Sequence, residues 1–283
     1  NIGTLSQYFW TTISIFFGYA DDGSDLVSAP TISECNLKIR KVMAARQEWY
    51  KLAGMSLNNS KTKIMGFGFT PDPLDLGDVT IEPSSSMKFL GFEIQNNLGQ
   101  DLHVNAVANK IRHAAAQIRA NGRNFRTSDR RRLYMGLVQG HLCSNGSTYL
   151  PLLSKSESEI LQTACNAAIR SVAKLPRKSW DISISDVRKK LNIPSVQALA
   201  DKAILMQAWK FRSQFVTDVP GGPETRSRSN GNVPHPDQKG WLGKMIVTQA
   251  KRAYNTLPKE CKECNSLKKA KLTIINFIKA NNS

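Results

Sequence analysis

Long apolar runs are missing from this 283-residue chain. The longest near its start, Ile13 to Phe17, has the length of a buried strand, whereas a membrane span needs about 20 residues, so no membrane partner is expected. Cysteine is scarce. Five cysteines, an odd number spread along the chain, do not make a disulfide framework and fit a reducing, intracellular compartment. Cys261-Lys262-Glu263-Cys264 is a lone CxxC with no second pair and no nearby histidine, and a zinc site needs four ligands. The four histidines, His103, His113, His141 and His235, show no paired spacing and receive no role. No charged leader or small-residue cleavage site precedes the first apolar run. The expectation is a protein of the nucleus or cytoplasm, not secreted, that begins inside a longer reading frame.

Acid is also in short supply, 22 Asp+Glu against 39 Lys+Arg for a net charge of +17. The deficit is uneven. Residues 1–100 hold 8 Lys+Arg and 10 Asp+Glu, a balance of −2, whereas residues 101–283 hold 31 and 12, a balance of +19. A near-neutral part with clustered acids beside a strongly basic part suggests a reaction centre next to a polyanion-binding surface. The alternative is a basic protein whose charge serves solubility alone. Dense clustering of Arg119, Arg123, Arg126, Arg130, Arg131 and Arg132 favours nucleic acid.

What is present has a clear order. Ile13 to Phe17 and Leu26-Val27 are apolar runs broken by Asp21-Asp22-Gly23, a pattern that predicts a β-hairpin with the Asp-Gly step supplying the positive φ of its turn. Thr31-Ile32-Ser33-Glu34 has the form of a capping box. Ile32, Cys35, Ile39, Val42, Met43, Trp49 and Ala53 then recur at helical spacing up to Gly54, and this stripe is expected to pack on the sheet that carries the hairpin. A polar turn leads into a predicted strand at Ile64 to Phe67. Val79-Thr80-Ile81 and Met87 to Ile94 are predicted to form a strand pair. From Asp101 the pattern is helical, with spans at about 103–121, 128–142, 156–174, 183–191, 195–216, 241–256 and 265–280. The stretch from Pro220 to Pro236 reads as a flexible linker.

Two adjacent carboxylates on a rigid turn suit phosphoryl transfer, where a divalent metal is held against a phosphate; an Asp-Asp-Gly turn is equally an ordinary solvated turn. The wider order decides between them. Tyr19-Ala20-Asp21-Asp22, then Leu57-Asn58-Asn59-Ser60-Lys61-Thr62-Lys63, then Phe89-Leu90-Gly91 resembles the third, fourth and fifth motifs of the reverse transcriptase palm. The tail, Ala253-Tyr254-Asn255-Thr256-Leu257-Pro258 followed by Ser266-Leu267-Lys268-Lys269, resembles the closing segment of non-LTR (LINE-type) retrotransposon polyproteins, which read Trp-Asn-x-Leu-Pro and then Ser-Leu. Group II intron reverse transcriptases share the palm motifs but not this tail. Tyr254 stands where Trp is usual, and Gly23 where the family often has Thr or a larger residue.

The resemblance implies an α+β fold, with a partial palm sheet over residues 1–100, a helical thumb-like region over 101–219, a linker over 220–240 and a helical tail over 241–283. It implies RNA-directed DNA polymerase activity on an RNA template and DNA primer with dNTP, supported by two Mg²⁺ ions. Asp21 would be a metal ligand and Asp22 the second carboxylate. Tyr19 would lie beside the primer terminus. Lys61 would donate a proton to the pyrophosphate, or else be an exposed turn lysine. Phe89, Leu90 and Gly91 would form the primer grip, or else ordinary strand core. Arg119, Arg123, Arg126, Arg130 and Arg131 would follow the nucleic-acid backbone, the first three on one helix face. Such an enzyme needs a further aspartate, and Asn1 to Phe17 contains no carboxylate. The expectation is therefore a polymerase fragment inactive by itself. The alternative is a non-catalytic basic nucleic-acid-binding remnant of a mobile element.

Overall fold

The computed structural model describes residues 14–176, 181–217, 232–233 and 246–281. It is a mixed α and β protein in which helix predominates and the strands form small antiparallel pairs. Two compact units, Asn1–Gly99 and Gln100–Ser283, divide it.

In the first unit, β1 (Ser14–Tyr19) pairs with β2 (Asp22–Val27), and α1 (Ile32–Leu52) follows. Thr31 caps α1 by accepting a hydrogen bond from the Glu34 N–H at 3.3 Å, satisfying one of the free donors of the first turn. Short strands β3 (Leu74–Asp75) and β4 (Thr80–Ile81) pair with each other, as do β5 (Ser86–Phe89) and β6 (Phe92–Gln95). These are three separate two-stranded sheets. A single palm-like sheet, as expected, is not what they form.

Three local expectations are corrected. Met87 to Ile94 is a hairpin rather than one strand, because Leu90 (φ 46°) and Gly91 (φ 83°) both turn left-handed between Phe89 and Phe92, as a two-residue type I′ turn requires. Val79-Thr80-Ile81 accordingly pairs with β3 instead. Ile64 to Phe67 contributes only an isolated bridge, Ile64 to Pro83. The apolar stripe of α1 also packs elsewhere than expected. Ile39 and Met43 lie against Ile64, Leu74, Leu76 and Ile81, while Ile32 remains 54% exposed.

The hairpin is held to α1 by charge instead. The Arg46 guanidinium makes a bidentate pair with Asp25, both nitrogen–oxygen distances 3.0 Å, and its carbon lies 3.7 Å from the Phe16 ring centroid. Phe16 and Asp25 are cross-strand partners, so one guanidinium engages both strands. Asn36, Arg40 and Gln47 then bond Asp72 and Leu76, fastening the 71–76 segment along the helix.

In the second unit, α2 (Asp101–Asn121) packs along α6 (Lys155–Val172). Between them in the chain come α3 (Thr127–Leu133), a π-helical turn at Tyr134–Val138, α4 (Gln139–Cys143) and α5 (Gly146–Tyr149). The buried faces of the two helices mix alanines, Ala108, Ala114, Ala115, Ala164 and Ala168, with larger residues such as Val104, Ile111, Ile118, Leu161 and Ile169. Ser154 and Glu157 form a reciprocal capping box at the start of α6. Tyr134 and Cys165 are both buried in this core, and burial pushes the Cys165 thiol up to about 12.

Next come α7 (Ile184–Lys190), α8 (Val196–Lys210) and α9 (Arg212–Thr217), then α10 (Ile246–Thr256), α11 (Lys259–Lys262) and α12 (Leu267–Asn281). Trp209 of α8, Phe215, Tyr254, Cys261, Cys264, Ile274 and Ile278 share a second core. Most of the expected linker, and residues 241–245, lie outside the described residues. Asn232 and Val233 are firmly held. The Asn255 carboxamide accepts from the Val233 N–H and donates to its carbonyl, both at 2.9 Å.

Asp25→Ala, which removes the bidentate carboxylate from a mostly buried Arg46, is expected to destabilise the first unit by about 3 kcal/mol. Urea unfolding followed by circular dichroism measures it.

Candidate functional site

The sequence Tyr19-Ala20-Asp21-Asp22 forms the tip of the first hairpin. Tyr19 pairs with Asp22, leaving Ala20 and Asp21 as the two-residue loop. This shifts the turn two residues from the expected Asp-Gly step. Gly23 instead sits inside the ladder opposite Gly18. Its place is explained by contact: a Cβ there would stand 3.1 Å from the Phe16 ring and 3.3 Å from the Tyr50 hydroxyl. Phe16 thus covers the Gly18–Gly23 pair on the face that Arg46 engages.

Positive φ falls on Ala20, at 53°, and not on Asp21. An L-residue with a side chain pays about 1–2 kcal/mol for that conformation. Strain of this kind collects where a loop must aim particular groups. Here the groups are Asp21 and Asp22, both exposed, and neither makes an ion pair or side-chain hydrogen bond among the described residues. Strand alternation places Asp22 on the same face as Tyr19, Phe17 and Ile15, opposite the Arg46 face. Tyr19 is 67% exposed.

Lys61 stands in a polar turn organised by Asn58, whose side-chain oxygen accepts from the Ser60 hydroxyl at 2.7 Å and from the Lys61 N–H at 3.3 Å. Its ammonium is exposed and unpaired among the described residues. Phe89 is half-buried and Leu90 44% exposed. Gly91 is required by the left-handed turn it closes, a local reason different from close approach of a primer.

Among the described residues no group of three or more His, Cys, Asp or Glu side chains is placed to hold a metal ion. Mg²⁺ demands near-octahedral oxygen ligation. Asp21 and Asp22 by themselves do not fit a two-ion centre.

The five arginines separate into distinct roles. Helix α2 ends at Asn121, so Arg119, Arg123 and Arg126 do not share a helix face. Arg130 is buried and donates to the carbonyls of Gly122 at 2.6 Å, Ser171 at 2.8 Å and Arg123 at 3.4 Å. Those carbonyls close the C-terminal ends of α2 and α6, where backbone acceptors lack intrahelical donors. Arg131 does the same for Leu191 and Asn192 beyond α7. These two are structural cations. Arg119 is half-buried and donates to the Ser171 hydroxyl at 3.3 Å, while Arg123 and Arg126 are exposed.

Several residues that build these sites escape sequence reasoning. Arg46 and Asp25 carry no motif. Arg170 and Lys174 join Arg119, Arg123 and Arg130 around one cleft, yet Lys174 lies past the end of α6 at Val172, a position that carries no motif.

Comparison of the chain with protein-family models, curated proteins and solved structures finds no match.

Arg130→Leu removes the sole side-chain donor shown to the Gly122 and Ser171 carbonyls. A loss of about 2 kcal/mol is expected, because the Ser171 carbonyl loses its donor while Gly122 keeps the Phe125 N–H, at roughly 1–3 kcal/mol for a buried group left unpaired, read as a lower urea midpoint for the second unit.

Proposed function

We propose that this chain carries the C-terminal palm, thumb and tail of a non-LTR (LINE-type) RNA-directed DNA polymerase. Such an enzyme transfers a nucleotidyl group from dNTP to the 3′-hydroxyl of a DNA primer on an RNA template. The observation that carries the reading is the hairpin tip, where a strained two-residue loop presents Asp21 and Asp22 to solvent without a neutralising partner. A merely structural turn gains nothing from adjacent unpaired carboxylates, whose mutual repulsion is a cost. The bidentate Arg46–Asp25 pair supplies the rigid mounting a positioned carboxylate needs.

In this reading Asp21 and Asp22 are part of a metal-binding acidic set. The Mg²⁺ they would help to hold supplies charge neutralisation and activation of the primer hydroxyl. Tyr19 lies on the Asp22 face to contact the primer end, and Lys61 offers a free ammonium to the leaving pyrophosphate. The Phe89–Phe92 turn presents Leu90 as the primer contact. Arg123 and Arg126, exposed on the basic unit, meet phosphates.

The test is primer extension on an RNA template by the chain continued through its upstream coding sequence. Asp21→Asn is expected to reduce extension to background while leaving template–primer binding intact. Extension that survives this substitution removes the catalytic assignment.

A second reading is a non-catalytic nucleic-acid-binding remnant, favoured by the lack of a third acidic group beside Asp21 and Asp22 among the described residues. Both readings require binding that weakens steeply with salt, and the arginine roles sharpen that requirement. Arg126→Gln is expected to lower the log–log salt slope of hybrid binding by about one, whereas Arg131→Gln leaves the slope unchanged and lowers stability. Filter binding across a potassium chloride series checks both. Binding with no extension by the upstream-continued chain selects the remnant.

A further inference from the structure

The C-terminal ends of α2 and α6 meet at a cleft of about 280 Å³ lined by Arg119, Arg123, Arg130, Arg170, Ser171 and Lys174, with Leu175 as its apolar wall. Five cations line it and no carboxylate does. Part of that charge has a structural use, since Arg130 and Lys174 donate to helix-end carbonyls. Two helix C-termini, however, carry only about half a negative charge each. Roughly four positive charges remain without compensation. Arg170 lines the cleft, and its Nε–H has no hydrogen-bond partner among the described residues.

We infer that this cleft is a phosphate site, and that it seats a phosphodiester of the nucleic-acid strand which the basic unit binds. The inference rests on the nucleic-acid-binding reading above and adds Arg170 and Lys174 to it. Guanidinium forks match the paired oxygens of a phosphate. One monoanion does not balance this charge, whereas a continuous strand brings further phosphates to exposed Arg123 at the rim. Charge–phosphate contacts of this kind carry no base sequence information.

Lys174 provides a variant that separates binding from folding. It occupies the left-handed position after α6 (φ 58°), and the Leu175 N–H bonds back to the Arg170 carbonyl at 2.9 Å, the Schellman arrangement that ordinarily takes glycine. Lys174→Gly therefore removes the cation at a site where glycine suits the backbone. Arg170→Gln keeps a polar side chain of similar reach.

The experiment is binding of a fluorescein-labelled RNA–DNA hybrid of about 20 base pairs to the full chain, from about 50 to 200 mM potassium chloride, with thermal unfolding of each variant alongside. Each substitution is expected to lower the salt slope by about 0.9, which is about eightfold in affinity at 0.1 M salt, without lowering the unfolding midpoint of Lys174→Gly. Parent-like slopes in both variants overturn the proposal. So does a cleft that takes only the free anion, seen as inorganic phosphate raising the parent's unfolding midpoint while both variants bind the hybrid as the parent does. A parent chain that does not bind the hybrid at all removes the nucleic-acid reading itself. A parent that binds steeply with unaffected variants removes the cleft alone.

Discussion

Arg130 joins the ends of two helices through three backbone carbonyls, and the second unit is arranged around that requirement. Helices α2 and α6 pack along each other, and the C-terminal ends of both come within reach of the one guanidinium. There the last carbonyls of each helix need donors from outside the helix. A guanidinium meets the need better than an ammonium, because its several N–H groups lie in one plane and reach different acceptors together. Gly122 leaves the room; a Cβ there would stand 3.2 Å from the Arg130 Nε. Lys174 and Arg131 repeat the device nearby.

Basic charge in this unit therefore has two uses. Some cations close helices and are held in place by backbone. Others, Arg123 and Arg126 among them, stand in solvent. A structural cation beside a free one raises the local potential without being consumed by it, since a hydrogen bond to a carbonyl does not cancel a full charge. Five cations, structural and free, line the cleft between α2 and α6.

The hairpin of the first unit solves a different problem. Two strands do not form a stable sheet by themselves in water, and this pair keeps several large apolar side chains exposed. Arg46 supplies what apolar packing does not. It reaches from α1 to Asp25 and lies over Phe16, and Phe16 in turn covers the Gly18–Gly23 pair. The chain from Arg46 to Phe16 to the paired glycines ends one residue pair short of the loop that presents Asp21. Rigidity at the tip thus comes from the helix, not from the turn sequence.

Helices were the most legible part of the chain. The 3.6-residue periods of Val104, Val107, Ile111 and Ile118, and of Leu161, Cys165, Ala168 and Val172, are local patterns, and the observed spans lie within a few residues of the expected ones. Strands were less so. Met87 and Phe89 alternate with Lys88, but Leu90 breaks the alternation and Phe92 and Ile94 resume it in the opposite phase; that shift and Gly91 were the only marks of a turn. At the first hairpin, Asp-Gly is a strong turn signal, yet the register slid to Ala20-Asp21 because the Phe16 ring needs the glycine beneath it. The motif residues of the candidate site could be named from their order. Their surroundings could not: Arg130 and Arg131 look like any other members of an arginine cluster.

By itself the sequence determined which segments are helical, where the excess of positive charge lies, and that a hairpin turns close to Asp21 and Asp22. Those properties follow from neighbours a few residues apart. Tertiary structure alone decided which arginines are consumed as helix caps and which remain free, that Arg46 anchors the hairpin, and that Arg170 and Lys174 join Arg119 around one cleft. The physical reason is that a cation's role depends on the acceptors it meets, and here they come from residues as far as 61 positions away.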